Sequence, residues 1–174
     1  GLAAITKNFT GNTFSFITAG TGLVRAAEIY GGVSAVNISN NLISDLTSTG
    51  QVQGIFNASI ATSTNYNMTN NIIRNLSSTG AGNNVYGLFV SNNGFTGGTI
   101  SNNTFSNYSS TGAASTVAGI QLSGVAATTS LAINQNNINT LSSAGASGIV
   151  AGINVNSGLT IPTLTLSCQT KDGI

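Results

Sequence analysis

Histidine and tryptophan are missing from this 174-residue chain, which holds one cysteine, one proline and one methionine. Charge is scarce as well: four Lys or Arg and three Asp or Glu. Without histidine, a Ser-His triad and the usual zinc sites are ruled out. Cys168 has no partner for an internal disulfide and no histidine to act as its base, so it reads as a small buried hydrophobe or an incidental thiol. So few charges leave no basic footprint for nucleic acid and little electrostatic steering. No apolar run reaches the ~20 residues of a membrane span. There is no signal-peptide pattern at Gly1, and the expectation is a processed product or a piece of a longer chain, one domain over residues 1–174.

What is present is Asn, Ser, Thr and Gly, set against a hydrophobic share of 40% that is enough to bury a core. Four segments align without gaps: Ile38 to Gly50, Met68 to Gly80, Ile100 to Gly112 and Ile133 to Gly145. A looser copy, Phe9 to Gly20, precedes them. Each carries a central asparagine, at Asn12, Asn41, Asn71, Asn103 and Asn136, in steps of 29, 30, 32 and 33 residues. A second block follows each Gly: Gly54 to Asn57, Gly87 to Val90, Gly119 to Leu122 and Gly152 to Val155. Length varies around Gly80 to Tyr86 and Ser91 to Gly98, which are expected to be loops.

Helical repeats of this length need good helix formers, and Asn, Thr, Ser, Gly and β-branched residues are poor ones. In the second block, Leu88 with Val90 and Ile120 with Leu122 alternate at period two, as on a strand with one buried face. In the first block the apolar positions are Ile38, Ile43 and Leu46, so the chain has to bend, and the paired asparagines tolerate the left-handed conformation a bend needs. One such repeat cannot bury its own face, whereas stacked repeats can. The predicted fold is therefore all-β, a single parallel β-helix of about five to six coils of 29–33 residues. Like residues should lie over like, with Phe9, Ile38, Met68, Ile100 and Ile133 as one column. The asparagines Asn12, Asn41, Asn71, Asn103 and Asn136 should form a ladder inside a turn, each amide bonding the next.

The pattern hydrophobic-x-x-Asn-x-hydrophobic, once per coil, resembles the right-handed parallel β-helix repeats of the pectin-lyase-like superfamily. The Ser-Thr-Gly tail of each copy is similar to repeats in long secreted surface proteins of Bacteroidetes-type bacteria. The resemblance covers nearly the whole chain and implies a right-handed coil and a secreted or cell-surface location. This fold carries lyases, fibres and adhesins alike, so function has to come from the site.

Lyases of this fold use clustered aspartates for calcium and an Arg or Lys base, and glycoside hydrolysis needs two facing carboxylates. Here the acids are Glu28, Asp45 and Asp172, far apart in sequence. Asp45 has Asn75, Asn107 and Thr140 above it in the repeat frame, and a surface pairing with Arg74 is the simplest role for it. No catalytic residue, metal or cofactor is expected. Phe56 and Phe89 should point opposite to Ile55 and Leu88. They are candidate partner contacts, with a second packing layer beneath a loop as the preferred reading. The Ser and Thr of the tails would stack as hydroxyl columns, for which turn chemistry is a better account than ice binding. The expected function is a structural or adhesive module of an extracellular surface or fibre. Its partners would be identical subunits, further repeats end to end, or a surface glycan or protein. A fragment of a polysaccharide-binding or lyase-type enzyme is the alternative, and an ice-binding solenoid comes third.

Overall fold

The computed structural model describes residues 5–30, 34–58, 64–127, 130–156 and 163–167. Cys168, Asp172 and Pro162 lie outside the described residues. Fifteen strands follow one another without a helix among the described residues. The first coil carries β1 (Thr6–Thr10), β2 (Thr13–Ala19) and β3 (Val24–Ile29), and the next carries β4 (Ala35–Ser39), β5 (Leu42–Ser48) and β6 (Val52–Asn57). Then come β7 (Thr64–Thr69), β8 (Ile72–Ser78), β9 (Val85–Ser101), β10 (Thr104–Ser110) and β11 (Thr116–Ala127). The last are β12 (Ser130–Asn134), β13 (Asn137–Ser143), β14 (Ile149–Val155) and β15 (Thr163–Ser167).

Every pairing is parallel and joins a strand to its counterpart one coil away, which makes the molecule a parallel β-solenoid with three faces. The first face stacks β1, β4, β7, the end of β9, β12 and β15. The second stacks β2, β5, β8, β10 and β13, and the third β3, β6, the start of β9, β11 and β14. The second face spans about four turns, somewhat fewer than the five to six coils expected. Five strands stacked on one face are separated by four coil-to-coil steps.

The columns are as the periodicity requires. Phe9 pairs with Ile38, Ile38 with Met68, Met68 with Ile100 and Ile100 with Ile133. Ile43, Ile73 and Phe105 form a second fully buried column, and Leu46, Leu76 and Tyr108 a third. Burial of each such side chain contributes about 1.5–3 kcal/mol. The same columns are only partly buried in the outermost coils, at Phe14 and Ile17 and at Ile138 and Leu141.

Parity explains the bends. Inward residues on one strand are an even number apart, because successive side chains alternate faces. Ile38 to Asn41 and Ile43 to Leu46 are odd separations, so each contains one residue that reverses the alternation. Those residues are Asn40, with φ of 56°, and Asp45, with φ of 60°. The first bend recurs at Gly11, Asn70, Asn102 and Gln135, beside the ladder asparagines as expected. The second recurs at Phe16, Asn75, Asn107 and Thr140, and sequence reading had not placed it. Asparagine and aspartate tolerate this conformation, while a phenylalanine there is an outlier.

The expected loop at Ser91 to Gly98 is instead part of the unbroken strand β9, whose backbone carries the chain from the third face into the first. The extra residues are absorbed as register shifts against β11, between Ser123 and Ala126 and again before Ala127, and against β7 beside Thr64. A bulge keeps neighbouring strands paired, which a loop would not. The expected loop at Gly80 to Tyr86 is a turn as far as Asn84 and becomes strand at Val85.

Glycine marks the tightest approach between faces. A Cβ on Gly87 would lie 2.5 Å from a ring carbon of Phe105 and 2.7 Å from the Gly119 carbonyl oxygen. A Cβ on the tail glycine Gly112 would likewise lie 2.7 Å from the Gly80 carbonyl oxygen of the previous coil.

Candidate functional site

Inside the first bend, the five asparagines form a continuous ladder. Asn12 donates its backbone N–H and its Nδ2 to Asn41 Oδ1, each at 2.9 Å. Asn41 repeats this toward Asn71 at 3.0 and 2.8 Å, Asn71 toward Asn103 at 2.9 and 2.8 Å, and Asn103 toward Asn136 at 3.0 and 2.9 Å. From Asn41 onward each amide also donates to a carbonyl of the preceding coil, as Asn71 does to Ile38 at 3.0 Å, while Asn12 donates to the Thr10 carbonyl of its own coil at 3.3 Å. A buried turn thereby has its polar groups satisfied, and the ladder is a structural device with no spare chemistry.

The tail hydroxyls serve a second turn. Ser48 and Ser78 are buried, and Ser78 Oγ donates to the Gly50 carbonyl at 2.7 Å. The outer threonines also bond inward, Thr49 to the Gly20 carbonyl at 2.8 Å and Thr111 to the Thr79 carbonyl at 3.0 Å. Turn chemistry therefore occupies these hydroxyls.

Two outward ladders were not anticipated. Asn67 Nδ2 donates to Asn37 Oδ1 at 3.2 Å, and Asn37 Nδ2 to Asn8 Oδ1 at 2.9 Å, along the first face. On the second bend, Asn107 Nδ2 donates to Asn75 Oδ1 at 3.1 Å, and Asn75 Nδ2 to Asp45 Oδ1 at 2.8 Å. The partner of Asp45 is thus Asn75, rather than the Arg74 that was expected. Hydrogen bonds from Ser44 and then Asn75 hold the Asp45 carboxyl below the usual carboxylate range, and Arg74 adds a lesser pull. Alternating strand positions and a side-chain repeat of 30 residues were the available signal for both ladders.

Phe56 and Phe89 stand in one column of the third face and are 5.4 Å apart, centroid to centroid. Tyr30 packs edge-on against Phe56 at 6.0 Å, and Tyr86 lies tilted against Phe89 at 5.2 Å. Phe56 is buried, with 8% of its surface exposed, whereas Tyr30 is 55% exposed. The Arg25 guanidinium lies 3.8 Å above the Phe56 ring, a cation–π contact. The same guanidinium pairs with Glu28, and its Nε donates to Gln53 Oε1 at 2.7 Å. Gln53 is 1% exposed, and its Nε2 has no hydrogen-bond partner among the described residues.

Beside this network lies a cleft of about 270 Å³ between β1 and β3, lined by Lys7, Asn8, Phe9, Glu28, Tyr30 and Val36 among others. Lys7 Nζ donates to the Tyr30 carbonyl across it. Glu28, beside the Tyr30 hydroxyl, pushes the phenol pKa up. Sequence reading missed this cluster, because Lys7, Arg25 and Glu28 occur in the first coil and have no counterparts in later copies.

Glu28 lies on the third face and Asp45 on the second, so the described carboxylates do not face each other. Among the described residues there is no group of three or more His, Cys, Asp or Glu side chains that could hold a metal ion. No helix among them is long and apolar enough to cross a membrane. Comparison with known protein families, curated proteins and solved structures gives no match for this chain.

Proposed function

We propose that the chain is a non-catalytic structural or adhesive module of an extracellular surface or fibre, built as a stiff rod of stacked coils. The carrying observation is the unbroken stack. Three apolar columns and an asparagine ladder run in register through successive coils, joined by parallel backbone pairing at every step. Such an arrangement resists bending, because each coil is held to the next over its full width. The separation of Glu28 from Asp45 supports the non-catalytic part, since acid–base pairs act across one substrate. The resemblance to pectin-lyase-like β-helices and to bacterial surface repeats belongs to this proposal. A right-handed coil belongs to it too, in keeping with the chirality of crossovers between parallel strands of one sheet.

The test has two arms. Antibodies to this chain should label intact producing cells; labelling only after lysis contradicts a surface role. The purified chain should release no reducing or unsaturated sugar ends from pectin or other polysaccharides; their release contradicts a non-catalytic module.

A further inference from the structure

We propose that the second face of the solenoid pairs with the same face of a second copy of this chain, side by side and with the coils running in opposite order. Charge placement is the first ground. Asp45 and Arg74 are the two charged residues of β2, β5, β8, β10 and β13, and they stand in adjacent coils of that face. Arg74 is exposed and makes no ion pair or hydrogen bond among the described residues. The second ground is apolar. Leu42 and Ile72 pair in register one coil apart, on the side opposite to the buried Ile43 and Ile73, and Ile72 is 44% exposed. Both pairs lie on β5 and β8, which have a neighbouring strand on either side, so neither depends on the terminal coils.

One two-fold axis satisfies both pairs. It runs along the strand direction, between β5 and β8, in the plane between two facing copies. It sets Ile72 opposite Leu42 of the second copy, and Leu42 opposite the Ile72 there. Arg74 is in register with Ser44, next to Asp45 in the chain, so the same rotation brings each Arg74 within side-chain reach of Asp45 on the other copy. A surface that meets itself in this reciprocal way is the mark of a two-fold dimer. The net charge of +1 leaves little repulsion between copies. Four coils of each copy overlap, at most about 400 Å² per copy from the strand spacing and rise, which is the size of a weak, reversible contact. This inference does not rest on the surface-module reading.

The experiment is analytical ultracentrifugation of the whole chain from ~10 μM to ~1 mM, the range of a weak contact. It should show a reversible monomer–dimer equilibrium that added salt weakens. Arg74→Gln, at an exposed position, removes two charge contacts from each dimer and should raise Kd about tenfold. Asp45→Asn, which suits the left-handed backbone there, should do the same. Arg74→Glu and Asp45→Lys test the axis itself, with circular dichroism to confirm that both fold. Each variant alone sets like charges against each other and should stay monomeric, whereas an equimolar mixture restores both opposite-charge contacts and should form a mixed dimer. The proposal is overturned if the chain is monomeric at ~1 mM, if the dimer survives Arg74→Glu unchanged, as end-to-end stacking would, or if the folded variants do not associate when mixed.

Discussion

Asn71 grips Asn41 twice: its Oδ1 accepts the Asn41 backbone N–H at 3.0 Å and the Asn41 Nδ2 at 2.8 Å. Both residues are buried, so removing the Asn71 side chain strands two donors of Asn41 and takes one bond from the Ile38 carbonyl, while Asn103 Oδ1 keeps the Asn71 backbone N–H. Each orphaned buried group costs about 1–3 kcal/mol. Asn71→Ala should therefore lower unfolding free energy by at least ~2 kcal/mol in urea titrations. Asn12→Ala, at the half-buried first rung, should cost about 1 kcal/mol. Equal losses at the two rungs contradict the ladder account.

Phe16 has φ of 56° and is 82% exposed, so it bears the cost of a left-handed backbone and gains no burial. Asn75 and Asn107 occupy the same place in later coils. Phe16→Asn should stabilise the protein by about 1 kcal/mol, given a left-handed cost of roughly 1–2 kcal/mol for such a residue. Thermal unfolding reads this directly, and a fall in Tm contradicts it.

Gly87 has no room for a methyl group, because Phe105 and the Gly119 carbonyl close over it. Gly87→Ala should destabilise by about 1–3 kcal/mol through overpacking, measured by chemical unfolding. Gly20, with open space at its Cβ position, is the control, and Gly20→Ala should be near neutral.

Tyr66 and Tyr108 are fully buried, and burial pushes both phenols well above their ordinary pKa of ~10. In the unfolded chain they ionise near pH 10, whereas in the folded chain they keep their protons. The unfolded state therefore binds fewer protons above pH 10, and stability falls as pH rises. The slope should approach ~1.4 kcal/mol per pH unit for each tyrosine, and below pH 10 the two should impose no pH dependence. Tyr108 donates to the Ile73 carbonyl at 2.9 Å, so Tyr108→Phe should cost about 1 kcal/mol at neutral pH and halve the alkaline slope. Urea unfolding at pH 7, 10 and 11 checks both.

How far the fold can be read from the sequence depends on whether a feature repeats. The Ile43, Ile73 and Phe105 column and the ladder asparagines recur in every copy, so spacing alone identifies them. The second bend was legible in principle: the odd interval from Ile43 to Leu46 demands a reversal, and Asp45 supplies it. The strand character of Ser91 to Gly98 was not legible, because it depends on pairing with β11, whose matching bulge lies about 30 residues on. The cleft was hidden for the opposite reason. Lys7 and Glu28 each occur once, and only the turn of the first coil brings them to one place.

The central claim is that equivalent residues of successive copies stack in parallel register. The most direct measurement is the set of through-space NMR contacts between the Ile43 methyls, the Ile73 methyls and the Phe105 ring, together with backbone contacts between β5, β8 and β10. The account predicts strong contacts between residues 30 and 32 positions apart, in the staggered pattern of parallel strands. Facing Hα–Hα contacts of antiparallel hairpins, or no contact between Ile73 and Phe105, would contradict it.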